Sequence, residues 1–346
     1  MSKKDKIEKV IEFENGSFLV RENKKYGIID KDGNIVLNIK YAKIIKHSDL
    51  FIVYRKEKCR IKDINGNNIS KNKYDEIKDT NSSLFIVRNG EYFGLIDFKG
   101  NEVLKSCYKV IRPIYYDCAD FFIVTNKEGK CGLVDKNGNV LLKCKYFAIY
   151  KLHHDRFSVL NNDGYSIYSI YKGFLTDFKI EKIPTFLSYS LNIIVMINGK
   201  FGIMDLDGKV VTECKYDAMY HCSRYADELS AKIGDKYCLI NNKGLQVTQV
   251  KFDYIKYLDV EKGILIVREE TKFGVIKNDG REIITPSFDA LKMLGREYIL
   301  TRYYDYYSLF DINGKVINNY FKKEDFKDVC MKNNITYDIE VIDIMN

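Results

Sequence analysis

The chain has no tryptophan, three prolines and four histidines in 346 residues. No apolar run approaches the roughly 20 residues that a membrane-spanning helix needs. The N-terminus, Met1-Ser2-Lys3-Lys4-Asp5-Lys6-Ile7-Glu8-Lys9, is charged, and the apolar stretch of roughly 7–15 residues that a secretory signal requires does not follow it. The expectation is a cytoplasmic protein. The nine cysteines are an odd number, scattered at 59, 107, 118, 131, 144, 214, 222, 238 and 330, which fits reduced core thiols better than a disulfide framework. His153 adjoins His154, but no Cys-x-x-Cys or His-Glu-x-x-His spacing occurs, so zinc and metalloprotease chemistry lack a ligand set. A Gly-x-Ser-x-Gly elbow and a Gly-Lys-Ser/Thr phosphate loop are missing too. No catalytic, cofactor-binding or metal-binding residue is assigned, and the expectation is a protein that is not an enzyme.

What is present is the composition of a folded chain, 46% hydrophobic, 30% charged and 14% aromatic. Its dominant feature is repetition. Tyr26-Gly27-Ile28-Ile29-Asp30 is followed by Gly33, Phe93-Gly94-Leu95-Ile96-Asp97 by Gly100, Cys131-Gly132-Leu133-Val134-Asp135 by Gly138, and Phe201-Gly202-Ile203-Met204-Asp205 by Gly208. Weaker copies place Arg60, Ser166, Cys238, Gly274 and Ser308 where these have the first glycine, which makes nine in all at intervals of 33 to 38 residues. A fixed period of this length means a repeat architecture.

Seven residues before that glycine ends an apolar run such as Phe18-Leu19-Val20 or Phe85-Ile86-Val87, whose β-branched and aromatic content predicts a strand. Asn89-Gly90 then marks a hairpin. The glycine motif is a second strand, Lys136-Asn137-Gly138-Asn139 a tight turn, and Val140-Leu141-Leu142 a third strand. Fourteen residues after the glycine stands a fixed aromatic, at Tyr41, Tyr74, Tyr108, Tyr146, Tyr216, Phe252 and Phe288, often opening a fragment such as Tyr74-Asp75-Glu76-Ile77 that reads as a fourth strand.

The predicted fold is all-β: about nine tandem antiparallel meanders of four strands and about 35 residues each, spanning 1–317. Neighbouring meanders must stack to bury their faces, radially as in a β-propeller or alternatively as an open β-solenoid or superhelix. The fifth unit departs most: Tyr165-Ser166-Ile167-Tyr168-Ser169 lacks the acidic residue, Gly173 arrives late, and Ile180 replaces the aromatic, with Pro184 soon after. It reads as drift or as a seam. Residues 318–346 form a predicted cap, a short amphipathic helix within 322–331 and an alternating strand over 335–341.

The aromatic-Gly step, the apolar pair, the Asp, the turn Gly and the later Tyr resemble the bacterial WG, or Trp-Gly, repeats from about Val10 to Val316. The resemblance implies a β repeat related in style to propellers, with a binding role more than a reaction. The name-giving position holds Tyr26, Cys59, Phe93, Cys131, Tyr165, Phe201, Tyr237, Phe273 and Tyr307 in place of tryptophan. Such exchange suits a packed ring better than a ligand-stacking indole, so the position is read as core.

Six carboxylates recur at Asp30, Asp63, Asp97, Asp135, Asp205 and Asp311. They stand at the entrance to a glycine turn, where Asp caps turn amides, and their spacing makes a row and not a metal cluster. Basic residues recur at Arg21, Arg55, Arg88, Arg268 and Arg302, and at Lys25, Lys58, Lys130, Lys200, Lys236 and Lys272, within a net charge of +8. Stacked repeats would align some of them, either as a stripe for nucleic acid or another polyanion or as a solvated face. Tyr115-Tyr116 and Tyr303-Tyr304-Asp305-Tyr306-Tyr307 are the aromatic patches suited to an interface. The candidate partner-binding residues are Arg21, Arg88, Arg268, Arg302, Tyr304 and Tyr306, and the expected partner is a protein or peptide, with polyanion binding as the alternative.

Overall fold

The computed structural model describes residues 7–80, 82–114, 120–182, 185–186, 191–226, 228–241 and 243–336. Pro184, Tyr115, Tyr116 and most of the expected capping strand lie outside them. The chain divides into two compact units, Met1–Asn162 and Asp163–Asn346, and the division falls within the fifth repeat.

The first unit carries four small sheets, in each of which neighbouring strands follow one another in sequence and run antiparallel. Their strands are Glu8–Glu12, Phe18–Glu22, Lys25–Ile29 and Ile35–Tyr41; Lys43–His47, Leu50–Arg55 and Lys58–Asp63; Glu76–Asp79, Leu84–Asn89, Tyr92–Asp97 and Glu102–Tyr108; and Val110–Ile114, Phe121–Thr125, Cys131–Asp135 and Val140–Tyr146. A hairpin of Ala148–His153 with Arg156–Leu160 follows. The second unit opens on Tyr165–Ser169 with Gly173–Phe174 and continues with four sheets. These comprise Thr185–Phe186, Asn192–Ile197, Lys200–Asp205 and Val210–Tyr216; Ala218–His221, Leu229–Ile233 and Lys236–Ile240; Tyr254–Asp259, Ile264–Glu269, Lys272–Lys277 and Glu282–Phe288; and Ala290–Leu294, Tyr298–Tyr303, Tyr306–Asp311 and Val316–Phe321. Among the described residues no helix is long and apolar enough to cross a membrane.

The frame of the repeat is displaced by one strand from the sequence reading. Tyr74 bridges back to Cys59, whereas the next residue, Asp75, donates its N–H to the carbonyl of Arg88 and leads into Glu76–Asp79, the first strand of the next sheet. The fixed aromatic thus closes one sheet, and the fragment after it opens another. The expected third strand and the aromatic form a single strand where the motif glycine is kept: Ile35–Tyr41, Glu102–Tyr108, Val140–Tyr146, Val210–Tyr216 and Glu282–Phe288, each of seven residues. Each carries a bulge in its pairing with the motif strand.

Stacking explains why the inner strands are continuously apolar. Successive side chains of a strand point to opposite faces, so Phe51 and Val53 join Leu19, Ile28, Leu37 and Tyr41 of the first sheet. Ile52, between them in sequence, joins Phe85 and Val87 of the third. The second unit repeats the scheme, with Leu239 and Phe252 packed on Leu265 and Val267 of the next sheet.

The two fixed aromatic positions face each other across the last two strands, as in Phe201 opposite Tyr216 and Phe273 opposite Phe288. The later position is the deeper in that repeat: Tyr216 is fully buried while Phe201 is only half-buried. The name-giving position is core at Cys59, Tyr165 and Tyr307 and part-exposed at the other six. It lies at the start of its strand, where burial depends on what packs over it, as the terminal helix does over Tyr307 and the third sheet over Cys59.

Beyond the last sheet, a 3-10 turn at Lys323–Asp325 leads into the helix Phe326–Lys332. Its Phe326, Val329 and Cys330 bury against Leu300, Tyr307, Leu309 and Phe321. The helix therefore covers the face that a following repeat would have covered.

Candidate interaction surface

The recurrent carboxylates hold turns. Asp30 Oδ1 accepts the N–H groups of Asp32 and Asn34 at 3.0 and 2.7 Å, and Oδ2 accepts Asn34 Nδ2 at 2.9 Å. That side-chain amide, with the backbone donors, holds the Asp30 carboxyl below its usual range. Asp63 and Asp135 repeat the pattern in full, and Asp97, Asp205 and Asp311 accept at least two donors each.

A second carboxylate row was not read from the sequence. Asp75, Asp217, Asp253 and Asp289 each follow the fixed aromatic and tie two sheets together. Asp75 accepts Lys58 Nζ of the second sheet and the Gly90 N–H of the third, both at 2.7 Å. Asp253 accepts Lys236 Nζ at 2.8 Å and the Glu270 N–H at 2.6 Å. Lys200 pairs with Asp217 and Lys272 with Asp289 in the same way, while Lys130 lies over the Phe147 ring at 3.3 Å. Each lysine stands 17 residues before its partner, a signal that lay in the sequence. Of the lysine row, Lys58, Lys200, Lys236 and Lys272 are therefore committed to links between repeats.

The arginines occupy one position in different sheets. Arg21 faces Glu8, Arg88 faces Glu76, Arg268 faces Tyr254 and Arg302 faces Ala290 across the first two strands. Arg21 donates twice to Glu8 Oε2, at 3.1 and 2.7 Å, and Arg88 Nε donates to Glu76 Oε2 at 3.4 Å. Arg268 and Arg302 each keep a buried Nε with no hydrogen-bond partner.

The structure does bring together Arg302, the tyrosines and Lys272. Tyr304 occupies the hairpin turn at φ +51°, a left-handed position that the sister repeats share with Lys56, Asn198 and Glu270 at φ +55°, +53° and +55° and with Gly90 and Gly234 at +64° and +60°. A left-handed conformation costs an L-residue about 1–2 kcal/mol. It is secured by the Tyr304 N–H, which donates to Asp289 Oδ2 at 2.7 Å. The Tyr304 ring is 66% exposed and meets Tyr303 edge-on, with centroids 4.7 Å apart. Lys272 Nζ lies 4.8 Å from the Tyr303 centroid and 5.5 Å from that of Tyr304. Tyr306, paired across the turn with Tyr303, is exposed as well, whereas Tyr307 is core. Arg21 and Arg88 belong to the other unit.

Three segments of the chain, 26–48, 132–165 and 201–223, match the WG containing repeat. No curated protein matches. Among solved structures the chain is similar to a eukaryotic initiation factor, with 10% identity over 88% of this chain and 96% of that one and a TM-score of 0.31. It is also similar to BamB from Moraxella catarrhalis, with 14% identity over 81% of this chain and 94% of that one and a TM-score of 0.27. Kluyveromyces lactis Hsv2 aligns at 12% identity over 68% of this chain and 91% of that one, with a TM-score of 0.29.

Proposed function

Starting from a WG-repeat protein, which the three matching segments make this chain, we propose a non-catalytic scaffold that holds a protein or peptide partner on the tyrosine surface of its last two repeats. The observation that carries this reading is Tyr304. Its exposed aromatic ring stands at the left-handed turn position where sister repeats have Lys56, Gly90, Asn198, Gly234 and Glu270, and its neighbours Tyr303, Lys272 and Asp289 fix its position. Rigid, exposed tyrosines beside arginine are the residues that anchor protein interfaces. Tyr304, Tyr306 and Arg302 would supply the contact. The same reading takes the meanders to stack as propeller blades do and the unpaired thiols among the described residues as those of a cytoplasmic protein.

Polyanion binding along the arginine rows is the weaker reading, because Arg21 and Arg88 already face carboxylates. Salt separates the two. A phosphate binder loses affinity steeply as salt rises, whereas a tyrosine-anchored protein contact keeps most of it. Titrating a captured partner at low and high salt is the test, and loss of all binding at high salt would refute the scaffold reading.

A further inference from the structure

A cavity of about 510 Å³ opens in the first unit between the outer strand of the first sheet and the second repeat. Its walls carry Lys40, Arg55, Lys56, Arg60, Lys62 and Lys73, together with Lys58, which is already paired with Asp75, and among the described residues no carboxylate lines it. The cavity follows from the local sequence. Arg60 replaces the motif glycine, and the fourth strand of this repeat is reduced to the isolated bridges Cys59–Tyr74 and Lys62–Asn68, so the space that a bulged strand fills elsewhere is left open. Alternation along Lys58–Asp63 sends Cys59 and Ile61 into the core shared with the third sheet. Lys58, Arg60 and Lys62 take the opposite face.

These cations outnumber the carboxylates beside them, which are Asp75 on Lys58 and Asp63 near Lys62. Arg60 Nε is buried and has no hydrogen-bond partner, while its Nη2 donates to the carbonyl of Lys71 at 3.2 Å. Lys62 Nζ donates to the carbonyl of Gly66 at 2.6 Å. Burial, then the nearby charges of Lys40 and Arg60, push the Lys62 ammonium below its usual pKa. Like charges gathered in a partly enclosed space repel one another, and a multivalent anion would reverse that cost.

We propose that this cavity binds a small oligophosphate anion, a chain of two or three phosphate groups either free or carried by a nucleoside. The volume lies within the range of about 300–1,000 Å³ typical of small-ligand sites. Arg60 offers a fork of donors for phosphate oxygens, and the lysines act as point charges around it. The proposal does not rest on the scaffold reading, since it concerns another unit and another ligand.

The test is titration calorimetry of the full chain at near-physiological salt, with inorganic tripolyphosphate, ATP and a single-stranded RNA oligonucleotide as probes. Tripolyphosphate should bind once per chain and compete with ATP. Arg60→Gln should weaken it at least tenfold, and the double change Lys40→Gln with Lys73→Gln, made at exposed positions, should also weaken it without touching the fold. Lys25→Gln, at the place equivalent to Lys58 in the first repeat, should leave it unchanged. Absence of tripolyphosphate binding, or binding unaltered in the Lys40/Lys73 variant, would overturn the proposal. So would RNA that binds more tightly and is not displaced by tripolyphosphate.

Discussion

The backbone N–H of Ile61 donates to Ser70 Oγ at 3.1 Å in the repeat where Arg60 stands in place of glycine. The same exchange recurs twice: Ile167 N–H donates to Thr176 Oγ1 at 3.0 Å after Ser166, and Leu239 N–H to Thr248 Oγ1 at 2.8 Å after Cys238. Where the glycine is kept, the seven-residue outer strand runs against the motif strand. Where Arg60, Ser166 or Cys238 replaces it, that strand shrinks and a hydroxyl ten residues on satisfies the exposed donor, whereas the repeat of Ser308 keeps the outer strand Val316–Phe321. Ser70→Ala should strand a buried N–H and cost about 1–3 kcal/mol in urea unfolding. A loss below about half a kcal/mol would show that water serves the donor equally well.

Gly94→Ala tests the other half of that rule. A Cβ there would lie 2.5 Å from the Leu104 carbonyl oxygen and 2.8 Å from Ser106 N, both backbone atoms of the bulged strand, and overpacking of this kind costs about 1–3 kcal/mol. Gly90→Asn is the matched control, because nothing lies within 4 Å of a Cβ at that turn and Asn tolerates its φ of +64°. Equal costs for the two would remove the steric account.

Phe252→Ala should cost about 3–5 kcal/mol, since the ring is 1% exposed and packs between two repeats. Phe201→Ala, at a half-buried strand end, should cost less than half as much. Chemical denaturation of both variants decides whether the later aromatic is the main packing element, and the reverse order would contradict it.

The four inter-repeat carboxylates imply acid sensitivity. Hydrogen bonds from Lys58, Lys200, Lys236 and Lys272 hold Asp75, Asp217, Asp253 and Asp289 below their usual pKa. A carboxylate depressed in the folded state stabilises it fully above the unfolded value of about 3.9, and that contribution disappears as pH falls through the folded value. The melting temperature should therefore drop between neutral pH and pH of about 3, and the drop should be smaller in Asp253→Asn. An identical pH profile in that variant would show that the link carries no stability.

Much of the fold was legible because it is written nine times. Strand content, the turn carboxylates and the terminal helix all follow from local pattern: alternation, turn glycines, and Phe326 spaced to Val329 and Cys330. The frame was not legible, because the chain crosses between sheets at Tyr74-Asp75, where the sequence shows no break. The hydroxyl exchange at Ser70 and the lysine-to-aspartate link at Lys58 and Asp75 are tertiary relations whose offsets gain meaning only once the strands are paired. Tyr304 and Tyr306 were legible as an exposed patch, but the support of Tyr304 by Asp289 from the neighbouring repeat edge was not.

The scaffold reading is tested most directly by capture of partners on the full chain at high salt, comparing the native protein with a Tyr304→Ala, Tyr306→Ala double variant. The account predicts that a protein partner is retained by the native chain and lost from the variant, with the melting temperature of the two nearly equal. A partner retained unchanged by the variant, or recovery of nucleic acid alone and only at low salt, would contradict it.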